Sequence, residues 1–142
     1  MRKNNLGVFT LGVCVLILFI VGCGGYGSSM NNNPPPTPGI SNMADHFHFQ
    51  FQLTSGAYSS TTQTLDYVWS NSGTSAKVTV TSSITAGTAN LQVSDSMGKL
   101  AIDQPLTTNG SFITAMGVTG NWKIHVVLTG VKGTVNFHVD KM

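Results

Sequence analysis

The sequence "WKIHVVLTGVKGTVNFHV", residues 122–139, alternates apolar and mostly polar residues on both sides of a glycine-containing centre. A period of two residues is typical of a β-strand that buries one face. The central "TGVKGT" has the composition of a turn and predicts a hairpin in which Thr129 faces Thr134. The stretch therefore predicts two antiparallel strands, residues 122–128 and 135–139.

The same alternation returns in four earlier segments, which are separated by turn residues. The segments are "DHFHFQFQL" at 45–53, "LDYVW" at 65–69, "AKVTV" at 76–80 and "ANLQV" at 89–93. Turns are indicated by "NSG" at Asn71, "DSMG" at Asp95 and "NG" at Asn109. No window shows a helical stripe. The pattern predicts an all-β fold, a single antiparallel β-sandwich or jelly roll, over residues 40–142.

The charges of this domain balance, which excludes one class of partner. Arg2 and Lys3 precede it, so five lysines remain against five aspartates, with no arginine and no glutamate. Such a surface lacks the basic patch that binds nucleic acid.

The N-terminus carries a membrane-inserting signal. Arg2 and Lys3 are followed by the apolar run "LGVFTLGVCVLILFIV", residues 6–21. The run is close to the minimum length for crossing a bilayer, so an uncleaved anchor helix is the alternative to a cleaved signal peptide.

The sequence "IVGC", residues 20–23, ends this run and resembles the lipobox of bacterial lipoproteins. The resemblance implies cleavage after residue 22 and a diacylglycerol and further acyl chains on Cys23, which would hold the protein on a lipid bilayer outside the cytoplasm. In that family an aspartate after the cysteine favours the inner membrane. Here the residue is Gly24, which favours the outer membrane where a cell has two. Residues 23–39, rich in Gly, Asn and Pro, read as a disordered tether, and Cys14 lies in the removed segment.

The second half of the domain has a further resemblance. "LQVSDSMGKLAI", followed by "GVTGNWKIHVVLTGVKGTVNFHV", is similar to bacterial pre-peptidase C-terminal domains and related jelly-roll modules. The resemblance implies a fold and a surface-binding role rather than a catalytic one.

All four histidines fall on outward positions of predicted strands. The hairpin register places His125 opposite His138, while His46 and His48 point the same way from one strand. If the first strand lies beside the last hairpin, four imidazoles share one surface that suits zinc or copper. The alternative is a set of solvated histidines. Asp45 and Asp140 are either partners that orient the imidazoles or simple strand-end charges.

Signals for catalysis are sparse, so we predict that the protein is not an enzyme. Ser111 lies in "NGSFI", a turn entering a strand, rather than in a nucleophile motif, and Asp95 fits the first position of a turn. Trp69 and Trp122 are in phase with inward aliphatic residues, which predicts core positions rather than a sugar-binding platform. The expected function is a membrane-anchored envelope module that binds a protein or glycan. The first alternative is a zinc- or copper-binding protein, and the less favoured one is a small hydrolase.

Overall fold

The computed structural model describes residues 36–53 and 62–142, and within them the chain forms eight β-strands and no helix. The strands are β1 (Gly39–Met43), β2 (His46–Leu53), β3 (Thr62–Asn71), β4 (Ala76–Val80), β5 (Ser83–Ser94), β6 (Leu100–Pro105), β7 (Gly110–Ile113) and β8 (Gly120–Lys141). All the pairings between them are antiparallel. The prediction of an all-β, antiparallel fold is confirmed.

The predicted hairpin at "TGVKGT" is wrong, because β8 runs through it as one strand of 22 residues. Gly130 and Gly133 do adopt positive φ angles, 57° and 110°. They bend the strand without reversing it, and the two halves of β8 pair with other strands rather than with each other.

The two halves of β8 organise the rest of the sheet. The first half, residues 120–129, lies between β3 and β5. The second half, residues 133–141, pairs with β2 on one side, and on the other side first with the start of β5 and then with β4. The outer strands β1, β6 and β7 then pair with β2, β5 and β4. Because β8 joins these strands in one hydrogen-bonded sheet, the finer prediction of a two-sheet sandwich is not confirmed.

The inward faces of both halves share one hydrophobic core. Trp69 and Trp122 are fully buried and meet edge to face at 6.1 Å between ring centroids, which confirms their predicted core positions. In the other half Phe137 stacks on Phe49 at 5.0 Å. Tyr67 of β3 lies 6.2 Å from the ring of Phe49 on β2, so aromatic contacts join the two halves directly.

The bend of β8 requires glycine for two reasons. The φ of 110° at Gly133 is one that side chains rarely adopt, and a Cβ built there would lie 2.1 Å from the carbonyl oxygen of Ser83. The neighbouring strand therefore approaches the bend too closely for any other residue.

A polar clasp joins the two halves away from the bend. Asp45, in the turn between β1 and β2, accepts hydrogen bonds from the Ser72 amide at 2.7 Å and the Ser72 hydroxyl at 2.8 Å. Lys141, near the end of β8, donates a third bond at 2.8 Å. The donation from Lys141 and the two from Ser72 lower the pKa of Asp45 to about 2. The loop after β3 is thereby tied to the end of β8.

Candidate functional site

Three histidines lie together on the outer face of the sheet, where β2 pairs with the second half of β8. His46 and His48 alternate with the buried Phe47 and Phe49 of β2, so both imidazoles point away from the core. The antiparallel register places His138 directly across from His48. The condition on which a shared histidine surface depended, that the first histidine-bearing strand lies beside the C-terminal strand, is therefore met.

These three side chains, His46, His48 and His138, are called the histidine cluster below. The rings of His48 and His138 stack at 4.3 Å between centroids and are inclined by only 7°. The ring of His46 lies 5.8 Å from that of His138 and is tilted by 38°. All three are half-buried, so each keeps an edge open to solvent.

Hydrogen bonds indicate the tautomer of two of these rings. His46 Nδ1 lies 2.5 Å from Asp140 Oδ1, and His48 Nε2 lies 2.9 Å from Asn136 Oδ1. A carboxylate and an amide oxygen only accept, so both of these nitrogens carry the proton. In the neutral rings the lone pair then belongs to His46 Nε2 and His48 Nδ1.

The third ring is held toward its neutral form. Desolvation lowers the pKa of His138, and His48 lowers it further by charge repulsion. His46 acts in the same direction, while Asp140 opposes both. A neutral imidazole is the form that binds a metal ion.

His125 does not belong to the histidine cluster, and the prediction that it faces His138 is wrong. It lies on the first half of β8, where its cross-strand partners are Asp66 and Gln92. Its Nδ1 is 2.7 Å from Asp66 Oδ1, which also pairs with Lys123 Nζ at 3.0 Å. The bonds from His125 and Lys123 lower the pKa of Asp66.

Of the two aspartates predicted as possible partners of histidines, Asp140 and Asp45, one contacts a histidine and the other does not. Asp140 does contact a histidine, His46, whereas Asp45 bonds to Lys141 and Ser72 in the clasp. Sequence reasoning missed Asn136, although it stands two residues before His138 on the same face of β8. It also missed Asp66, whose pairing with His125 depends on the register between β3 and β8.

The residues weighed for catalysis have structural partners. Asp95 Oδ1 accepts bonds from the amides of Met97 at 3.0 Å and Lys99 at 2.8 Å, which confirms its place as the first residue of a turn. Ser111 lies on β7 beside Thr79, with 3.4 Å between the hydroxyl oxygens.

With the rings as they lie, within residues 36–53 and 62–142 no three His, Cys, Asp or Glu side chains are arranged to hold a metal ion. Parallel stacking accounts for this in the histidine cluster, because ring nitrogens lie in the ring planes and the planes of His48 and His138 do not converge. Convergence requires rotation about side-chain torsions.

The predicted signal peptide, residues 1–22, lies outside the described residues, as do Cys23 and all but the last four residues of the predicted tether at 23–39. Among the residues that are described, none belongs to a helix of the length and hydropathy needed to cross a bilayer. Comparison with protein-family models, curated proteins and solved structures finds no match for this chain.

Proposed function

We propose that the chain is a bacterial lipoprotein, held on a membrane by acyl chains on Cys23, that displays a non-catalytic β-domain outside the cytoplasm. The observation that carries the proposal is "IVGC" at the end of the apolar run, followed by a polar, proline-rich segment. Within the described residues the first strand begins at Gly39, which leaves residues 24–38 between it and Cys23 for a tether. With Gly24 after the cysteine, the outer membrane is favoured in a cell that has two.

The pKa values of four of the five aspartates in the described domain argue against a role as general acid. Hydrogen bonds to Asp45, Asp66 and Asp103 lower the pKa of each. At Asp95 desolvation raises the pKa, but hydrogen bonds from three backbone amides outweigh it. A general acid in glycoside hydrolysis needs the opposite shift.

Exposed apolar side chains favour a protein partner over a glycan. Met97 is 78% exposed at the turn between β5 and β6, and Met116 is 73% exposed in the loop before β8. Ser96 and Asp95 hydrogen-bond to Val118 across the two loops, so the loops present one surface. Methionine adapts to varied apolar partners, and exposed apolar patches are typical of binding sites.

The test is the chemistry of the mature N-terminus in a bacterial host. We expect mass spectrometry of the membrane fraction to show a chain that begins at Cys23 and carries acyl groups. Cys23→Ala should abolish both acylation and cleavage, whereas the matched Cys14→Ala should leave both unchanged. A wild-type chain that begins at Met1 without acyl mass would show an uncleaved anchor and overturn the proposal.

A second candidate function, histidine-dependent binding of zinc or copper, is favoured by one observation. Three imidazoles meet on the outer face of β2 and β8, with His48 and His138 in direct ring contact.

A further inference from the structure

We propose that Met43, Met97, Met116 and Met142 form a modification site at which two-electron oxidants, such as hydrogen peroxide or hypochlorous acid, convert the thioethers to sulfoxides while the fold stays intact. These four residues are called the methionine set below. The proposal goes beyond the proposed function and does not depend on acylation of Cys23.

Every methionine of the described residues lies on the surface. Met97 and Met116 are 78% and 73% exposed, and Met43 and Met142 are 59% and 55% exposed. Methionine is among the residue types most often fully buried, and it commonly fills gaps in a core. Here the core of the described residues is built from aliphatic and aromatic side chains and contains no methionine. The four thioethers are therefore open to reagents in water and take no part in core packing.

One carboxylate holds two members of the methionine set close together. The two oxygens of Asp95 accept hydrogen bonds from the amides of Met97 and Val118, both at 3.0 Å. Between Met116 and Val118 stands Gly117, where an added Cβ would lie only 2.6 Å from the Cβ of Asp95. The turn that carries Met97 and the loop that carries Met116 therefore pack against each other at one end of the sheet.

Met142 lies at the same end. The amide of Gly117 donates to the carbonyl oxygen of Thr74 at 2.8 Å, and the amide of Met142 donates to the carbonyl oxygen of Ser75 at 3.1 Å. The loop between β3 and β4 thus holds the C-terminus beside the loop that carries Met116.

Met43 reaches this end of the sheet as the last residue of β1. The backbone oxygen of Asp45, two residues further on, accepts the Lys141 amide at 3.0 Å. Because Lys141 directly precedes Met142, all four members of the methionine set lie at one end of the sheet.

No thiol in the domain competes for such oxidants. Residues 36–142 contain no cysteine, and cysteine and methionine are the side chains that climb the sulfur oxidation ladder. The aromatic rings of Trp69 and Trp122 are fully buried. The thioethers of the methionine set are therefore the oxidisable groups that this surface presents.

The oxidation transfers one oxygen atom to each sulfur. A lone pair of the thioether attacks one oxygen of hydrogen peroxide, so that an S–O bond forms and the O–O bond breaks. The proton on the transferred oxygen passes to the departing hydroxide, which leaves as water. Sulfur loses two electrons and the peroxide gains them. The sulfoxide is polar, so the surface of Met97 and Met116, which favours a protein partner, becomes polar while the core is unchanged.

The test is oxidation of the folded, full-length Cys14→Ala/Cys23→Ala protein in detergent micelles with hydrogen peroxide, followed by peptide mass spectrometry. The two substitutions remove the thiols that would compete for peroxide. We expect one added oxygen atom on each member of the methionine set. Because this background lacks Cys23, the result is independent of the lipoprotein proposal.

Leu91→Met in the same background provides the matched control. It places a thioether at a fully buried position of β5 with little change in volume. The sulfur introduced there should react at least about tenfold more slowly than that of Met97, because peroxide reaches it only when the core opens.

A second measurement separates surface oxidation from damage to the fold. The unfolding midpoints of the oxidised and the unoxidised protein in denaturant should agree, since no member of the methionine set is packed in the core. Leu91→Met that is oxidised in denaturant and then refolded should instead have a lower midpoint than its unoxidised form, because a polar sulfoxide then lies in the core.

The proposal is overturned if Met97, Met116 and Met142 react no faster than the sulfur introduced by Leu91→Met. It is equally overturned if oxidation of the methionine set lowers the unfolding midpoint, since these residues would then contribute to the fold.

Discussion

The first half of β8 carries His125 near its centre and the second half carries His138, and both imidazoles point away from the core. Their local sequences, "KIHV" and "NFHV", are alike. Yet His125 meets Asp66 on β3, while His138 meets His48 on β2. One ring joins a carboxylate and a lysine in an ion-pair group, and the other joins two more imidazoles. The chemistry of an outward histidine is thus set by the residue across the strand rather than by its neighbours in sequence.

The largest effect is expected from variants that test whether the two halves of β8 and their partner strands form one folding unit. Trp122→Ala in the first half and Phe137→Ala in the second remove fully buried rings from the same core. Each should lower the free energy of unfolding by about 3–5 kcal/mol, measured by denaturant titration. The exposed Val68→Ala should change it by no more than about 0.5 kcal/mol.

Both core variants should still unfold in a single transition, because the halves share one core. Two separate transitions, one for each half, would show that the halves of β8 belong to independent units.

A smaller test concerns the bend that gives the halves different neighbours. Gly98→Ala places a side chain at φ 80° with nothing within 4 Å, which isolates the cost of a left-handed backbone at about 1–2 kcal/mol. Gly133→Ala adds a close contact with the Ser83 carbonyl oxygen and should be more destabilising than Gly98→Ala in the same denaturant assay. Equal losses would mean that β5 does not crowd the bend.

The bend is also where sequence reasoning failed. Alternation of apolar residues predicted β2 to β5, both halves of β8 and the buried Trp69 and Trp122, because burial of one face is a local pattern. Glycine at positive φ serves a turn and a bend equally well, so "TGVKGT" did not distinguish them. The choice was made by long-range pairing, since both halves of β8 find complete partners elsewhere in the sheet.

In the candidate site, too, local strand geometry was predictable from the sequence and long-range pairing was not. His46 and His48 share a face by strand geometry alone, and their meeting with His138 followed from placing the first strand beside the last. The expectation for His125 depended on the hairpin and was lost with it. Asp66 and Asn136 could not be assigned as partners without the register.

The smallest expected effect concerns the clasp of Asp45, Ser72 and Lys141, which ties the loop after β3 to the end of β8. The pKa of Asp45 is about 2 in the folded chain, below the ordinary value of 3.8. The lowered value means that the clasp stabilises the fold fully above pH 3.8. As the pH falls toward 2, the unfolded chain takes up the proton first, and this stabilisation is lost. Asp45→Asn should therefore lower the unfolding midpoint at pH 7 and lower it less near pH 2.

The partner of Asp45 provides the control for that pH dependence. Lys141→Gln removes the largest cause of the lowered Asp45 pKa. In this variant the unfolding midpoint should therefore change less with pH between about 3.8 and 2 than it does in the wild type. Lys132→Gln, a lysine at the bend for which the described residues show no carboxylate partner, should leave the range as it is in the wild type. If Lys132→Gln changes the pH dependence of the unfolding midpoint as much as Lys141→Gln does, that dependence reflects net charge. The clasp then does not couple the end of β8 to the loop after β3.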